Sequence, residues 1–292
     1  MTPEERTVRV EGLRVRYLQA GRGPDVLLLH GASLGSSADV WTLVLAPLAA
    51  HGFRVTAYDQ PGFGLSDDPP DFSAGYRRRF VLAFMDALGL ERAHLVGHSQ
   101  SGRFAVSLAL ERPERVSSVL VLGTGSLLPP LPGAGPATGP REGEEGTASE
   151  PTLEEVRALL EADVYCRERL TPELVAVRHR MSVGKNFRAF LARRQAGRGE
   201  EEKGVPLWQR LDQVRVPLLL LYGREDRGRA AERAMLARTR FPGLDVRILE
   251  RCKHLVQIDA PEALVAEAAR FFAAAGAPGT AAPAGEAGSA GA

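Results

Sequence analysis

Short apolar runs and helical patterns alternate along most of the chain. Residues 7–11 and 13–20 alternate polar and apolar positions as a strand pair does, with Glu11-Gly12 as the turn between them. Val26-Leu27-Leu28-Leu29 has no such alternation. A continuous apolar run fits a strand buried on both faces, as in a parallel sheet covered by helices. The runs at 55–58, 94–96, 116–122, 218–222 and 246–249 read the same way. Between them, apolar positions recur at helical spacing and predict helices over 41–50, 80–88, 102–111, 230–239 and 263–274. Strands alternating with helices predict an α/β fold, a mainly parallel sheet flanked by helices.

One region breaks the alternation. Residues 128–149 are rich in Pro and Gly and predict a mobile loop. Helices then follow without strands. Thr152 and Glu155 have the spacing of a capping box. Thr171 with Pro172 opens a second helix, and a third is expected over 186–194. Helices inserted between two halves of a parallel sheet predict a lid. The expected organisation is a core built from 1–127 and 205–275, a lid over 128–204, and a disordered tail over 276–292.

Composition narrows the classes of function. A hydrophobic fraction of 44% supports a sizeable core. Net charge is +1 with no long block of one sign, so no nucleic acid partner is expected. Arg77-Arg78-Arg79 reads as a solvated helix face. No apolar run reaches the ~20 residues that span a bilayer, and the charged start has no signal-peptide core. Cys166 and Cys252 lie far apart, which fits a reducing, cytoplasmic setting. No metal-ligand spacing and no phosphate-loop lysine occur, so neither metal nor cofactor is expected.

The chemistry gathers at LVGHSQSGRF, residues 95–104. An apolar strand there runs into small residues and then a helix. That is the setting of a nucleophile elbow, with Ser99 at its centre and Ser101 where the Gly-x-Ser-x-Gly pattern ends in glycine. A serine hydroxyl needs a base, and the base needs an orienting carboxylate. Downstream, LLLLYGREDRG carries Glu225 and Asp226 after one strand, and RILERCKHLVQID carries His254 after another. Asp226, further out on its loop, is the expected acid, and His254 the expected base. Backbone N–H groups must also face the developing oxyanion. Gln100, after the serine, and Ala32, in LLLHGASLGSS, are the candidates, with His30 holding the loop.

With these residues assembled, the chain resembles the α/β-hydrolase superfamily from about residue 8 to 274. The resemblance is carried by His30-Gly31, Tyr58-Asp59-Gln60-Pro61-Gly62-Phe63-Gly64-Leu65-Ser66-Asp67, the elbow, Gly223 to Arg227, and Cys252-Lys253-His254. RERLTPELVAVRHRM, Asn186-Phe187 and CKHLVQID further resemble the meta-cleavage-product hydrolases. That resemblance implies cleavage of a carbon–carbon bond in 2-hydroxy-6-oxo-hexa-2,4-dienoates made by ring-opening of catechols. It implies that Arg178 binds the substrate's carboxylate end, and it points to a homodimer. His98 and Leu255 stand where family members carry a substrate-contacting asparagine and tryptophan. The residues leave three readings open: a carbon–carbon bond hydrolase, a carboxylesterase or other small-acyl or lactone hydrolase, and a ligand-binding scaffold without catalysis.

Overall fold

The computed structural model describes residues 2–133, 149–196 and 205–276. Among them eight strands form one sheet: β1 (Glu4–Val10), β2 (Leu13–Ala20), β3 (Asp25–Leu29), β4 (Arg54–Tyr58), β5 (Ala93–His98), β6 (Val116–Leu122), β7 (Leu218–Gly223) and β8 (Asp245–Leu249). Their order is β1-β2-β4-β3-β5-β6-β7-β8. β3 to β8 run parallel, and β2 is antiparallel to both of its neighbours. Glu11 at φ 49° and Gly12 at φ 84° turn the β1–β2 hairpin, two left-handed residues as its right-handed twist requires.

The continuous apolar runs are explained by two helical layers. Leu27 and Leu29 of β3 face one layer, made by α2 (Ala74–Ala87), α3 (Gln100–Glu111) and α7 (Ala230–Arg240). Val26 and Leu28 face the other, made by α1 (Thr42–Ala49) and α9 (Pro261–Ala275). A strand covered on both sides has no polar face to show. Between β6 and β7 come α4 (Leu153–Asp163), α5 (Pro172–Arg180) and α6 (Lys185–Ala196). Thr152 and Glu155 form the capping box at the head of α4. A short helix, α8 (Val256–Asp259), follows β8.

Several expectations are corrected. α2 starts at Ala74 rather than at 80, because the Ser73 hydroxyl accepts from the Tyr76 N–H and caps the helix there. Arg77 is not on a solvated face. It is buried, with its guanidinium 5.3 Å from the Phe63 ring centroid and 5.4 Å from that of Phe104. The start of the expected 128–149 loop is packed: Leu128 is buried, and the Arg233 guanidinium donates to the carbonyls of Leu128 and Pro129. The rest of that expectation, 134–148, lies outside the described residues, as does the tail from 277. Among the described residues no helix is long and apolar enough to cross a membrane.

Candidate active site

Ser99 stands between β5 and α3 at φ 55° and ψ −121°. A positive φ costs a non-glycine residue about 1–3 kcal/mol and persists only where its surroundings enforce it. They do so here. The Ser99 N–H donates to the Leu122 carbonyl at 2.8 Å, and the Ser99 carbonyl accepts from the Thr124 hydroxyl at 2.6 Å and the Gly102 N–H at 3.1 Å. The small neighbours follow from crowding. A Cβ on Gly97 would come 2.6 Å from the Gly102 Cα, and one on Gly102 would come 2.9 Å from Val121 Cγ1. Ser101 fits at the third small position. Its hydroxyl donates to the His30 carbonyl at 2.6 Å and accepts from the Gln60 amide at 3.1 Å. The residue that departs from the glycine pattern thus ties the elbow to the Ala32 loop.

The expected acid and base come together. His254 Nδ1 lies 3.0 Å from Asp226 Oδ1, and both side chains are buried. Asp226 Oδ1 also accepts the Arg227 N–H at 2.8 Å. Burial pushes the Asp226 carboxyl up to about 7, while the Arg227 charge and backbone bond pull it back. The adjacent carboxylate serves the loop instead. Glu225 accepts the Cys252 N–H at 2.8 Å and fixes the segment that carries His254. Gly123, at φ 60°, lets the backbone pass this pair, since a Cβ there would sit 3.0 Å from His254 Nδ1. Asp259 was not singled out from sequence. Its carboxylate accepts the N–H groups of Tyr165, Cys166 and Lys253 at 2.8 to 3.0 Å, joining the inserted segment to the His254 loop. A lone acid in the apolar run LVQID was the available signal.

The Ala32 loop lies against the serine. A Cβ on Gly31 would come 3.1 Å from Ser99 Cβ. Among the described residues, the N–H groups of Ala32 and Gln100 have no protein acceptor. Gln100 begins α3, where helical N–H groups are unsatisfied and the dipole favours negative charge. His30 Nε2 accepts the Gln60 N–H at 3.0 Å, so Nδ1 carries the proton toward the Gly31 carbonyl at 2.7 Å. Burial lowers His30 to about 3, with Arg77, Arg193 and Arg178 adding to the shift. His30 is therefore a neutral holder of the loop.

The three expected substrate contacts sit differently. Burial and the neighbouring His254 keep His98 well below the usual histidine range, so its ring is neutral. Its Nε2–H donates to the His254 carbonyl at 3.0 Å, while Nδ1 faces Gly31. Leu255 is buried in an apolar cluster with Val156, Leu160, Val175 and Ile258, holding α4 and α5 to the core. The guanidinium of Arg178, on α5, makes no hydrogen bond or ion pair to any described residue. Burial lowers it to about 10, with Asp163 pulling it back. The side chain packs on the Ala32 loop, its Cδ 2.9 Å from where a Gly35 Cβ would lie. It borders a cavity of about 380 Å³ walled by apolar side chains including Val40, Leu160, Leu174, Val177 and Ile258. Ser99 and His254 do not line that cavity, which lies beyond Arg178. Among the described residues no group of three or more His, Cys, Asp or Glu is placed to hold a metal ion.

Comparison with known proteins places the chain in a family. The family model described as "Alpha/beta hydrolase family" matches residues 26–268. A 2-hydroxy-6-oxononadienedioate/2-hydroxy-6-oxononatrienedioate hydrolase of Paraburkholderia phymatum is 32% identical, over 84% of this chain and 86% of its own. A 2-hydroxy-6-oxo-6-phenylhexa-2,4-dienoate hydrolase of Burkholderia cepacia is 31% identical, over 86% of this chain and 89% of its own. Among solved structures, the 2-hydroxy-6-oxo-6-phenylhexa-2,4-dienoate hydrolase from a Rhodococcus species superposes with a TM-score of 0.76 at 27% identity, covering 93% of this chain and 100% of that one. The chain belongs to the alpha/beta hydrolase family, and within it is similar to the hydrolases of 2-hydroxy-6-oxo-dienoates.

Proposed function

We propose that this enzyme hydrolyses the carbon–carbon bond next to the 6-oxo group of a 2-hydroxy-6-oxo-dienoate. Ser99 is the nucleophile, His254 the base, and Asp226 the acid that orients it. The observation that carries the reading beyond a general acyl hydrolase is Arg178. A desolvated guanidinium with no described partner, packed on the oxyanion loop, suits a carboxylate that arrives with the substrate.

Carbon is a poor leaving group, so the bond must first be made labile. The proton of the 2-hydroxyl moves to C5 and leaves a 2-oxo acid. Arg178 holds the carboxylate and the 2-oxo oxygen, where negative charge will collect. His254 then takes the Ser99 proton, and the serine oxygen attacks C6. The Ala32 and Gln100 N–H groups receive the oxyanion, each worth ~3–4 kcal/mol where such donors have been removed. C5–C6 breaks, its electron pair is delocalised to the 2-oxo oxygen, and His254 returns the proton to the departing fragment. Water, deprotonated by His254, releases the acyl group from Ser99. Asp226 accepts from His254 Nδ1 throughout, which keeps Nε2 available for these transfers. An ester, whose leaving group is already an oxygen, needs no such anchor.

The deciding comparison is Arg178→Met against two substrates. Removing one partner of a buried charge pair costs about 2–5 kcal/mol. The dienoate kcat/KM should therefore fall ~100-fold or more, while p-nitrophenyl acetate hydrolysis stays within a few-fold. Ester turnover with no dienoate turnover in the wild type would instead make the protein an esterase. We further infer a cytoplasmic enzyme, a reading supported by two free cysteines, Cys166 and Cys252.

A further inference from the structure

Arg193 is a second arginine whose charge has no carboxylate partner among the described residues. It projects from α6 onto the loop after β4. Its guanidinium carbon lies 3.6 Å from the Phe63 ring centroid, and Nη1 donates to the Gly62 carbonyl at 2.6 Å. Arg77 stacks on the same ring, so a like charge is a near neighbour. Burial and the Arg77 charge hold Arg193 well below the guanidinium range. One N–H and one ring face would pin α6 to this loop. The Nε and Nη2 hydrogens have no bond to any described residue and remain for another acceptor.

The position relative to Ser99 gives this charge a use. Phe63 meets the His30 ring edge-on at 4.9 Å between centroids. His30 begins the loop whose Gly31 touches Ser99 and whose Gly35 touches Arg178. Arg193 thus stands at the His30 end of the oxyanion loop and Arg178 at its Gly35 end. A desolvated cation without a counter-ion is strongly unfavourable, and two of them along one loop are more so, unless a ligand brings the anions. The sequence of the two helices has the same bias: α5 and α6 together carry six Lys and Arg and one carboxylate, Glu173, while Asp68 on the loop below lies 3.9 Å from Lys185.

We propose that Arg193 is a second anion anchor, so that the preferred substrate is a dienoate carrying a carboxylate at each end. Arg178 holds the carboxylate next to the 2-oxo group, Arg193 holds the one on the acyl fragment, and Ser99 attacks between them. This rests on the function proposed above. The bonds made and broken are unchanged; the acyl fragment leaves as a dicarboxylic acid. Of the substrates named for the relatives, a 2-hydroxy-6-oxononadienedioate fits these two anchors and a 6-phenyl dienoate leaves Arg193 unused.

Ligand binding in a Ser99→Ala background tests this without turnover, read from the dienolate absorbance. The dioate should bind at least ~10-fold more tightly than the 6-phenyl dienoate, the scale of one partly buried charge pair. Arg193→Met should weaken dioate binding ~10-fold or more and leave the phenyl compound within ~2-fold, and Arg193→Lys should restore part of the loss. Equal weakening of both ligands would make Arg193 a helix pin and overturn the proposal, as would tighter binding of the phenyl compound. Arg178→Met in the same background separates the two claims. If it changes neither ligand while the Arg193 split persists, the role given to Arg178 fails and the second anchor stands. If neither ligand binds with both arginines intact, both claims fail.

Discussion

At the scale of single residues, the site depends on groups held where they are not comfortable. Asp226 is the clearest case. Burial raises its carboxyl to about 7, so the native state resists ionising it. A group raised in the folded state adds stability below its unfolded pKa, near 4, and loses it as pH climbs through the folded value. Asp226→Asn has no such proton to lose. Urea melts at pH 5 and pH 8 should show the variant gaining on wild type as pH rises, by about 1 kcal/mol or more. Its kcat should be lower by ~10⁴-fold, since an amide no longer stabilises the charged His254. In the wild type, kcat/KM should rise with pH through the region near 7 as the acid ionises. Gly123 offers a second test. A Cβ there meets His254 Nδ1 at 3.0 Å, and the left-handed φ adds about 1–2 kcal/mol for any side chain. Gly123→Ala should cut kcat by ~10–100-fold by displacing the imidazole, with KM little changed. At this scale sequence was informative, because Ser99, Asp226 and His254 follow strands that deliver them to one edge of the sheet. What it concealed was pairing. Arg77 sits in a run of three arginines that looks solvated, yet it is buried between two phenylalanine rings. Nothing local to that run distinguishes a buried arginine from an exposed one.

At the scale of elements, the inserted helices and the His254 loop act as one unit. Asp259 joins them, with one carboxylate oxygen on Tyr165 and Cys166 and the other on Lys253. Asp259→Asn removes the charge from three backbone hydrogen bonds and keeps a single acceptor oxygen. It should lower stability by about 2 kcal/mol, seen as a lower urea midpoint at unchanged slope. A wild-type midpoint would mean that this clamp carries no load. The inner parallel strands β3 to β7 were readable because both faces of each are buried, which leaves a nearly uninterrupted apolar signal. Boundaries were less so. The cap at Ser73 starts α2 early, and its first turn carries Arg77 and Arg78, whose burial depends on Phe63 and on distant Phe104 and Glu111. The order of strands in the sheet, and β2 running against its neighbours, come from pairings between distant segments that no local periodicity records.

At the scale of the whole molecule, a net charge of +1 conceals an uneven distribution. α5 and α6 carry six Lys and Arg against one carboxylate of their own, Glu173, and two of the six, Arg178 and Arg193, lie along the loop that packs on Ser99. An anionic substrate should feel that field before it binds. Raising ionic strength from about 0.01 to 0.5 M shortens the screening length from ~30 Å to a few Å, so kcat/KM for a dienoate should fall several-fold. A neutral ester should show no such dependence. The central claim, however, concerns one bond. The most direct measurement is product analysis after mixing the enzyme with 2-hydroxy-6-oxononadienedioate. Water addition across C5–C6 requires two acids in equal amounts, 2-hydroxypenta-2,4-dienoate and butanedioate, from wild type and neither from Ser99→Ala. Equal turnover by Ser99→Ala, or an unchanged dienoate beside active wild-type ester hydrolysis, would contradict carbon–carbon cleavage at Ser99.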